Sequence, residues 1–129
     1  MIRFLTIAET LTIHTKAIHD YGGTQGTRDV GLLDSALAQP QLMIQGIYMH
    51  PTLADMAAAY MFHIIKNHPF IDGNKRTGTA CAWIFLSINS ANPQGSAQIL
   101  ENTALGVAES LISKKELGQI FQCFVLSNA

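Results

Sequence analysis

The chain has 129 residues, 48% of them apolar and 13% charged, with a formal net charge of −1. That length fits a single domain over residues 1–129, able to bury about two thirds of the unfolded chain's surface. The composition excludes a disordered chain, and a near-neutral charge without a polybasic run excludes duplex nucleic acid as the main ligand. Cys81 and Cys123 lack C-x-x-C spacing and read as buried free thiols of a reducing cytoplasm. The N-terminal segment has a helical rhythm and Glu9, unlike a secretory signal. The longest apolar runs, MAAAYMF and ACAWIFLSI, are too short to span a bilayer, so no membrane role is expected.

The predicted elements are helical. Thr6-x-x-Glu9 is a capping box, opening a helix with Ile7, Leu11, Ile18 and Tyr21 on its apolar side. Gly22-Gly23 ends it. Asp29 then caps a short helix carrying Leu32, Leu33, Ala36 and Leu37, ended by Pro40. Residues 41–51 (QLMIQGIYMHP) show no clean period and read as an irregular flap. Thr52-x-x-Asp55 caps a helix from about 53 to 67, and another runs from Asn74 to about Asn89. After loop signals at Ser90, Asn92, Pro93 and Gly95, two more helices complete the chain, the last opened by the box Ser113-x-x-Glu116. No alternating strand pattern exceeds four residues. The helices at 53–67 and 74–89 are apolar on nearly all sides, which predicts burial at the centre of the bundle. The fold class is all-α, with about six helices.

The segment joining those two central helices is His68-Pro69-Phe70-Ile71-Asp72-Gly73-Asn74-Lys75-Arg76. A site held there stands on rigid elements. The first amides of the second helix lack intrahelical partners and carry the positive end of its dipole. Gly73 removes a side chain and lets an anion approach the backbone, Asn74 is placed to cap, and Lys75 and Arg76 add two positive charges. Together they suit a di- or triphosphate. Asp72 beside a polyphosphate suits magnesium, which takes few protein ligands. His68 offers a neutral imidazole to a hydroxyl proton. Pro69 restricts His68, and Phe70 is a buried peg for the loop. This is the inventory for transferring part of a nucleotide to a hydroxyl group. Taken singly, the same residues also fit an ordinary capped turn, two solvated cations and a histidine bonded to a carbonyl. Their joint order favours the site.

The stretch HPFIDGNKR resembles the H-x-F-x-D-x-N-K-R motif of the Doc (death-on-curing) toxins within the Fic fold superfamily. A second stretch looks like the N-terminal block of Doc-like proteins: Tyr21-Gly22-Gly23, then Gly26-x-Arg28-Asp29-x-Gly31-Leu32-Leu33-x-Ser35-Ala36-Leu37-x-x-Pro40. The resemblance covers essentially the whole chain. It implies a Fic-like bundle with the active-site loop between two buried central helices. It implies the toxin of a type II toxin–antitoxin system, a kinase moving the γ-phosphate of ATP, with Mg²⁺, to a threonine of elongation factor Tu. A Phd-type antitoxin would hold it inactive. By position it implies His68 as general base, Asp72 as Mg²⁺ ligand, and Gly73, Asn74, Lys75 and Arg76 as phosphate holders, with Phe70 as anchor. Most Fic proteins have glycine where Lys75 stands and transfer AMP; lysine fills and charges the anion hole, which favours the kinase. AMP transfer is the alternative, since Gly73 is shared with AMP-transferring relatives. A catalytically silent antitoxin-binding relative is another.

Outside the motif the ordinary readings come first. His14 and His19 are surface or core histidines, His63 a core histidine bonded to backbone, and His50 structural or exposed. Arg28 and Asp29 read as a surface pair at a helix start, with shaping of the site second. Lys66 complements its helix dipole. Tyr21, Tyr60, Trp83 and Phe85 are assigned to the core. Leu42, Met43, Ile44, Ile47 and Tyr48 of the flap are the candidate docking surface for target or antitoxin. A metal-dependent phosphohydrolase of an HD-like kind is a further rival, built on His19-Asp20 with His63, His68 and Asp72.

Overall fold

The computed structural model describes residues 1–126. Among them are six α-helices: α1 (Ile7–Tyr21), α2 (Val30–Ala38), α3 (Leu53–Asn67), α4 (Asn74–Ile88), α5 (Ala97–Ala108) and α6 (Lys114–Leu126). A 3-10 turn (Gln39–Gln41) follows α2, and a short hairpin pairs β1 (Met43–Ile44) with β2 (Ile47–Tyr48) antiparallel. The architecture is all-α.

Most helices start where a side-chain oxygen meets the first free amides. Thr6 Oγ1 accepts from Glu9 N at 3.1 Å while Glu9 accepts from Thr6 N at 2.9 Å. Asp29 accepts from Leu32 N at 3.0 Å, Thr52 from Asp55 N at 3.0 Å and Ser96 from Ile99 N at 3.1 Å. Ser113 and Glu116 form the second reciprocal box. Each such cap stabilises its helix by about 1 kcal/mol.

α3 is the axis of the bundle. Ala54, Ile64, Ile65 and every residue from 56 to 61 are buried, and the helix packs against α2, α4, α5 and α6. Gly78 of α4 lets the two central helices meet closely: a Cβ there would stand 3.2 Å from Met61 O. α4 itself is not buried all round. Its inner stripe is Thr77, Gly78, Cys81, Ala82, Phe85 and Leu86, whereas Ile84 and Ile88 are exposed. Central burial therefore holds for α3 and is corrected for α4, which has one side on the surface.

Three further expectations change. The inner face of α1 is Thr10, His14 and Ile18, while Ile7, Leu11 and Tyr21 are exposed. The period was legible but its phase was not, because the two polar residues find partners inside. Thr10 Oγ1 donates to Thr6 O at 3.0 Å. The flap is an ordered hairpin rather than irregular chain. Gln45 and Gly46 both have positive φ (52° and 78°), as a two-residue hairpin turn of the primed kind requires. It exposes Leu42, Met43, Ile44, Ile47 and Met49. Cys81 is buried, its thiol pushed up to about 12 by desolvation, but Cys123 is exposed. Tyr60 and Phe85 are core as expected, Tyr60 accepting from Leu5 N at 2.9 Å.

One buried and one half-buried group make predictions. The hydroxyl of Thr77 is buried without a hydrogen-bond partner. Thr77→Val removes that unmet group at nearly constant shape, so it is expected to stabilise the fold by about 1 kcal/mol. A urea midpoint that falls on this substitution would show that the hydroxyl is bonded after all. The second group is His63. It is bonded not to backbone, as expected, but to Lys114, whose ammonium donates to its Nε2 at 3.2 Å. Burial first, then Lys114 and the buried His50, push His63 down to about 4, and burial also lowers His50. The unfolded imidazole titrates near 6.5, so between about 6.5 and 4 the unfolded chain binds more protons than the folded one. His63 thus contributes stability present in full above about 6.5 and lost as pH falls toward 4. Allowing for partial exposure, the loss is about 1–2 kcal/mol. His63→Gln is expected to flatten the fall of the urea midpoint between pH about 7 and about 5. An unchanged slope would place the acid sensitivity elsewhere.

Candidate active site

The connection between α3 and α4 is tied at every residue. α3 ends on His68, which is left-handed (φ 52°, ψ 54°), with its N–H on Ile64 O at 3.2 Å. Pro69 is buried, and Phe70 has no exposed surface. The Phe70 ring stacks on the His14 ring, centroids 3.8 Å apart and planes 5° from parallel. Asn74 clasps the backbone of the same residue: its Oδ1 accepts from Phe70 N and its Nδ2 donates to Phe70 O, both at 3.0 Å. His14 Nε2 reaches Asp72 O at 2.8 Å, the nitrogen donating. Phe70 is thus the buried anchor that the sequence suggests, held by His14 of α1 and Asn74 of α4.

These contacts revise two assignments. Asn74 does not cap α4; Gly73 occupies the N-cap position, and no side chain caps there. The Asn74 side chain is buried and fully engaged with Phe70, so any contact with a phosphate falls to its backbone. Gly73 is explained by its own backbone and by packing. Its φ is +77°, and a Cβ would lie 2.8 Å from Ile18 Cδ1 on α1. The missing side chain faces α1 rather than an anion.

The second sequence block folds onto the first. Thr27 bridges Phe70, and Ile71 N donates to Gly26 O at 3.1 Å. The amides of Arg28 and Asp29 donate to Pro69 O at 2.7 and 3.0 Å. The Arg28 guanidinium donates through Nε to His68 O (2.8 Å) and through Nη2 to Asn67 O (3.0 Å). The surface pair expected of Arg28 and Asp29 is replaced by this strap. Thr24 N donates to Asp72 Oδ2 at 3.1 Å, and Gly73 N to Oδ1 at 2.9 Å. Gly23 is required here, since a Cβ would stand 2.7 Å from Asp72 Oδ2.

The groups left facing outward are ionisable. The Thr24 amide, then the Gly73 amide, hold the exposed Asp72 carboxyl below its usual range, with His14 and Lys75 adding to the effect. Asp72 is therefore charged at neutral pH, and each oxygen keeps a lone pair beyond its amide bond. Lys75 and Arg76 are exposed on the first turn of α4. The Arg76 guanidinium lies 4.0 Å above the ring of Tyr21. Tyr21 is not core, as expected, but an exposed platform for this cation. The His68 ring is exposed and makes no hydrogen bond among the described residues. One short loop thus presents a free imidazole, a carboxylate, two cations and a helix N-terminus.

Sequence reasoning named His68, Asp72, Lys75 and Arg76; all four are exposed, the first two on the loop and the last two on the first turn of α4. It gave no task to His14, Tyr21 or Thr24, and only a second reading to Arg28. The signal was the unusual density of glycine and polar residues over 21–29 in an apolar chain. The phosphohydrolase constellation does not assemble: among the described residues His19 pairs with its neighbour Asp20, and His63 turns to Lys114. Among the described residues, no three His, Cys, Asp or Glu side chains converge in a metal-ligating group.

Comparison with known proteins gives the family. The model of the Fic/DOC family matches residues 4–86, which span α1 to α4 and so include the whole loop. The chain is 44% identical over 89 residues to "Toxin Doc" of Mycolicibacterium smegmatis, covering 69% of this chain and 66% of that protein. It is 29% identical over 113 residues to "Protein kinase doc" of Escherichia phage P1, covering 87% of each. The matched residues contain both the motif and its supporting block, and the chain belongs to the Fic/DOC family.

Proposed function

We propose that this chain is the toxin of a type II toxin–antitoxin system and an ATP-dependent protein kinase. It would move the γ-phosphate of ATP to a threonine hydroxyl of elongation factor Tu in the cytoplasm, and a Phd-like antitoxin would hold it inactive. The observation that carries this reading is the exposed, unbonded imidazole of His68 on the same loop as the cationic start of α4. The relatives named as a toxin and as a protein kinase support it.

His68 accepts the proton of the target hydroxyl as the oxygen attacks. The free amides at the start of α4 receive phosphate oxygens, and Lys75 and Arg76 balance their charge. The exposed Tyr21 ring offers the Arg76 guanidinium a cation–π contact beside the helix start. Asp72 is ionised, exposed and fixed by two amides, which fits a ligand of Mg²⁺. Mg²⁺ bound there would neutralise charge on the phosphates. Phe70, Asn74 and His14 keep the loop from yielding. Kinase action rather than AMP transfer rests on Lys75, which adds bulk and charge at the anion site. Gly73 carries no weight for AMP transfer, because its φ and its contact with Ile18 require glycine in either case.

The test is label transfer. The protein, Mg²⁺ and elongation factor Tu are incubated with ATP labelled at the γ- or the α-phosphate. γ-Label on the factor, absent when His68 is replaced, is the expected result. α-Label would make the chain an AMP transferase, and no label of either kind would sink the enzymatic reading with this target.

A further inference from the structure

His68 stands in a conformation that its sequence disfavours. A left-handed backbone is unfavourable for a residue with a Cβ, and the following Pro69 pushes its predecessor toward extended backbone. Such a residue persists where its surroundings over-determine it. The ring of His68 supplies none of that constraint, since it makes no hydrogen bond among the described residues. The constraint lies in the carbonyls of residues 67, 68 and 69. The last carbonyls of a helix lack intrahelical partners, and here one side chain takes two of them: Arg28 donates to Asn67 O at 3.0 Å and to His68 O at 2.8 Å. The amides of Arg28 and Asp29 take the third, Pro69 O, at 2.7 and 3.0 Å. A planar guanidinium can hold two adjacent carbonyls in fixed relation, and a lysine ammonium cannot. Its positive charge also suits a helix C-terminus.

We infer that Arg28 is the positioning residue for the His68 imidazole, fixing through three backbone carbonyls the direction in which that ring meets a substrate hydroxyl. This rests on the reading of His68 as the base. Arg28 is given a positioning role because the bonds its side chain makes, through Nε and Nη2, go to the carbonyls of His68 and Asn67.

The test joins a spectroscopic readout to a kinetic one. The ¹³Cα and ¹³Cβ shifts of His68 report its backbone conformation without any reaction. Arg28→Ala is expected to move them toward extended values and to lower kcat for γ-label transfer by about 10²-fold, with KM for ATP within about 2-fold. Arg28→Lys is expected to fall between, as one carbonyl keeps a donor. Asp29→Ala is the structural control: it removes the cap of α2 but leaves the strap, so the His68 shifts stay native. If Arg28→Ala does not fold, Arg28→Lys carries the test. Native His68 shifts in the Arg28 variants would overturn the inference. So would shifts that move equally in Asp29→Ala. Should the native chain transfer no label, the shifts still decide whether Arg28 sets this backbone, and only the reading of His68 as base falls.

Discussion

His68→Asn is expected to slow γ-phosphoryl transfer by about 10²–10⁴-fold, the ordinary worth of a positioned general base. The same substitution is expected to leave stability within about 0.5 kcal/mol, as for an exposed position without partners. Asparagine is the better replacement than alanine because it tolerates the left-handed backbone that His68 adopts. It therefore removes the proton acceptor without altering the loop. Initial rates and a urea midpoint on the same preparation separate the two effects. A rate within about threefold of native would remove His68 from the chemistry. A stability loss above about 2 kcal/mol would mean that the ring holds the loop together.

Local features of the fold were legible because their physics is local. A cap needs one oxygen and an amide three residues on, and the caps at Thr6, Asp29, Thr52 and Ser113 all form where their spacing indicates. Burial is a property of the assembled bundle, and there the reading slipped. His14 and Thr10 face inward on α1 because Asp72 O and Thr6 O receive them, and Asp72 lies 58 positions away. α4 begins with polar Asn74, Lys75 and Arg76 but is apolar from Ala80 to Leu86, and which side of that apolar stretch meets solvent is set by the neighbours it packs against rather than by its composition. The hairpin escaped notice because two-residue strands are too short to show alternation.

The site divides in a way that residue types alone do not reveal. HPFIDGNKR contains two interleaved sets. His68, Asp72, Lys75 and Arg76 are exposed and are the residues proposed for the chemistry, while Phe70, Gly73 and Asn74 face inward and build the loop. Asparagine before two cations at a helix start reads equally well as a cap, an anion contact or an internal clasp, and only tertiary contacts choose among them. The same holds for Arg28 and Tyr21. An arginine and an aromatic near a glycine pair look ordinary until the chain brings them against residues 40 to 55 positions further on.

Asn74→Ala is expected to destabilise the fold by about 2–4 kcal/mol, the largest loss of stability for any single substitution in the loop that keeps the Phe70 ring. The substitution leaves Phe70 N and Phe70 O without their partners. Each orphaned buried group costs about 1–3 kcal/mol. Water cannot take over readily, because Phe70 has no exposed surface and its ring is stacked on His14. Asn74→Asp sharpens the test. Its carboxylate can still accept from Phe70 N but opposes the lone pairs of Phe70 O, and a buried charge is costly. Protonated, the carboxyl can accept from one group and donate to the other. Burial raises the folded-state pKa of such a carboxyl above its unfolded value. The Asn74→Asp protein should therefore recover stability, relative to native at the same pH, as pH falls through that raised pKa. If instead Asn74 serves the nucleotide through its side chain, Asn74→Ala would leave the urea midpoint unchanged and raise KM for ATP. Unfolding curves at two pH values and one ATP titration distinguish a clasp, which protects the loop from within, from a phosphate contact, which only the bound nucleotide would notice.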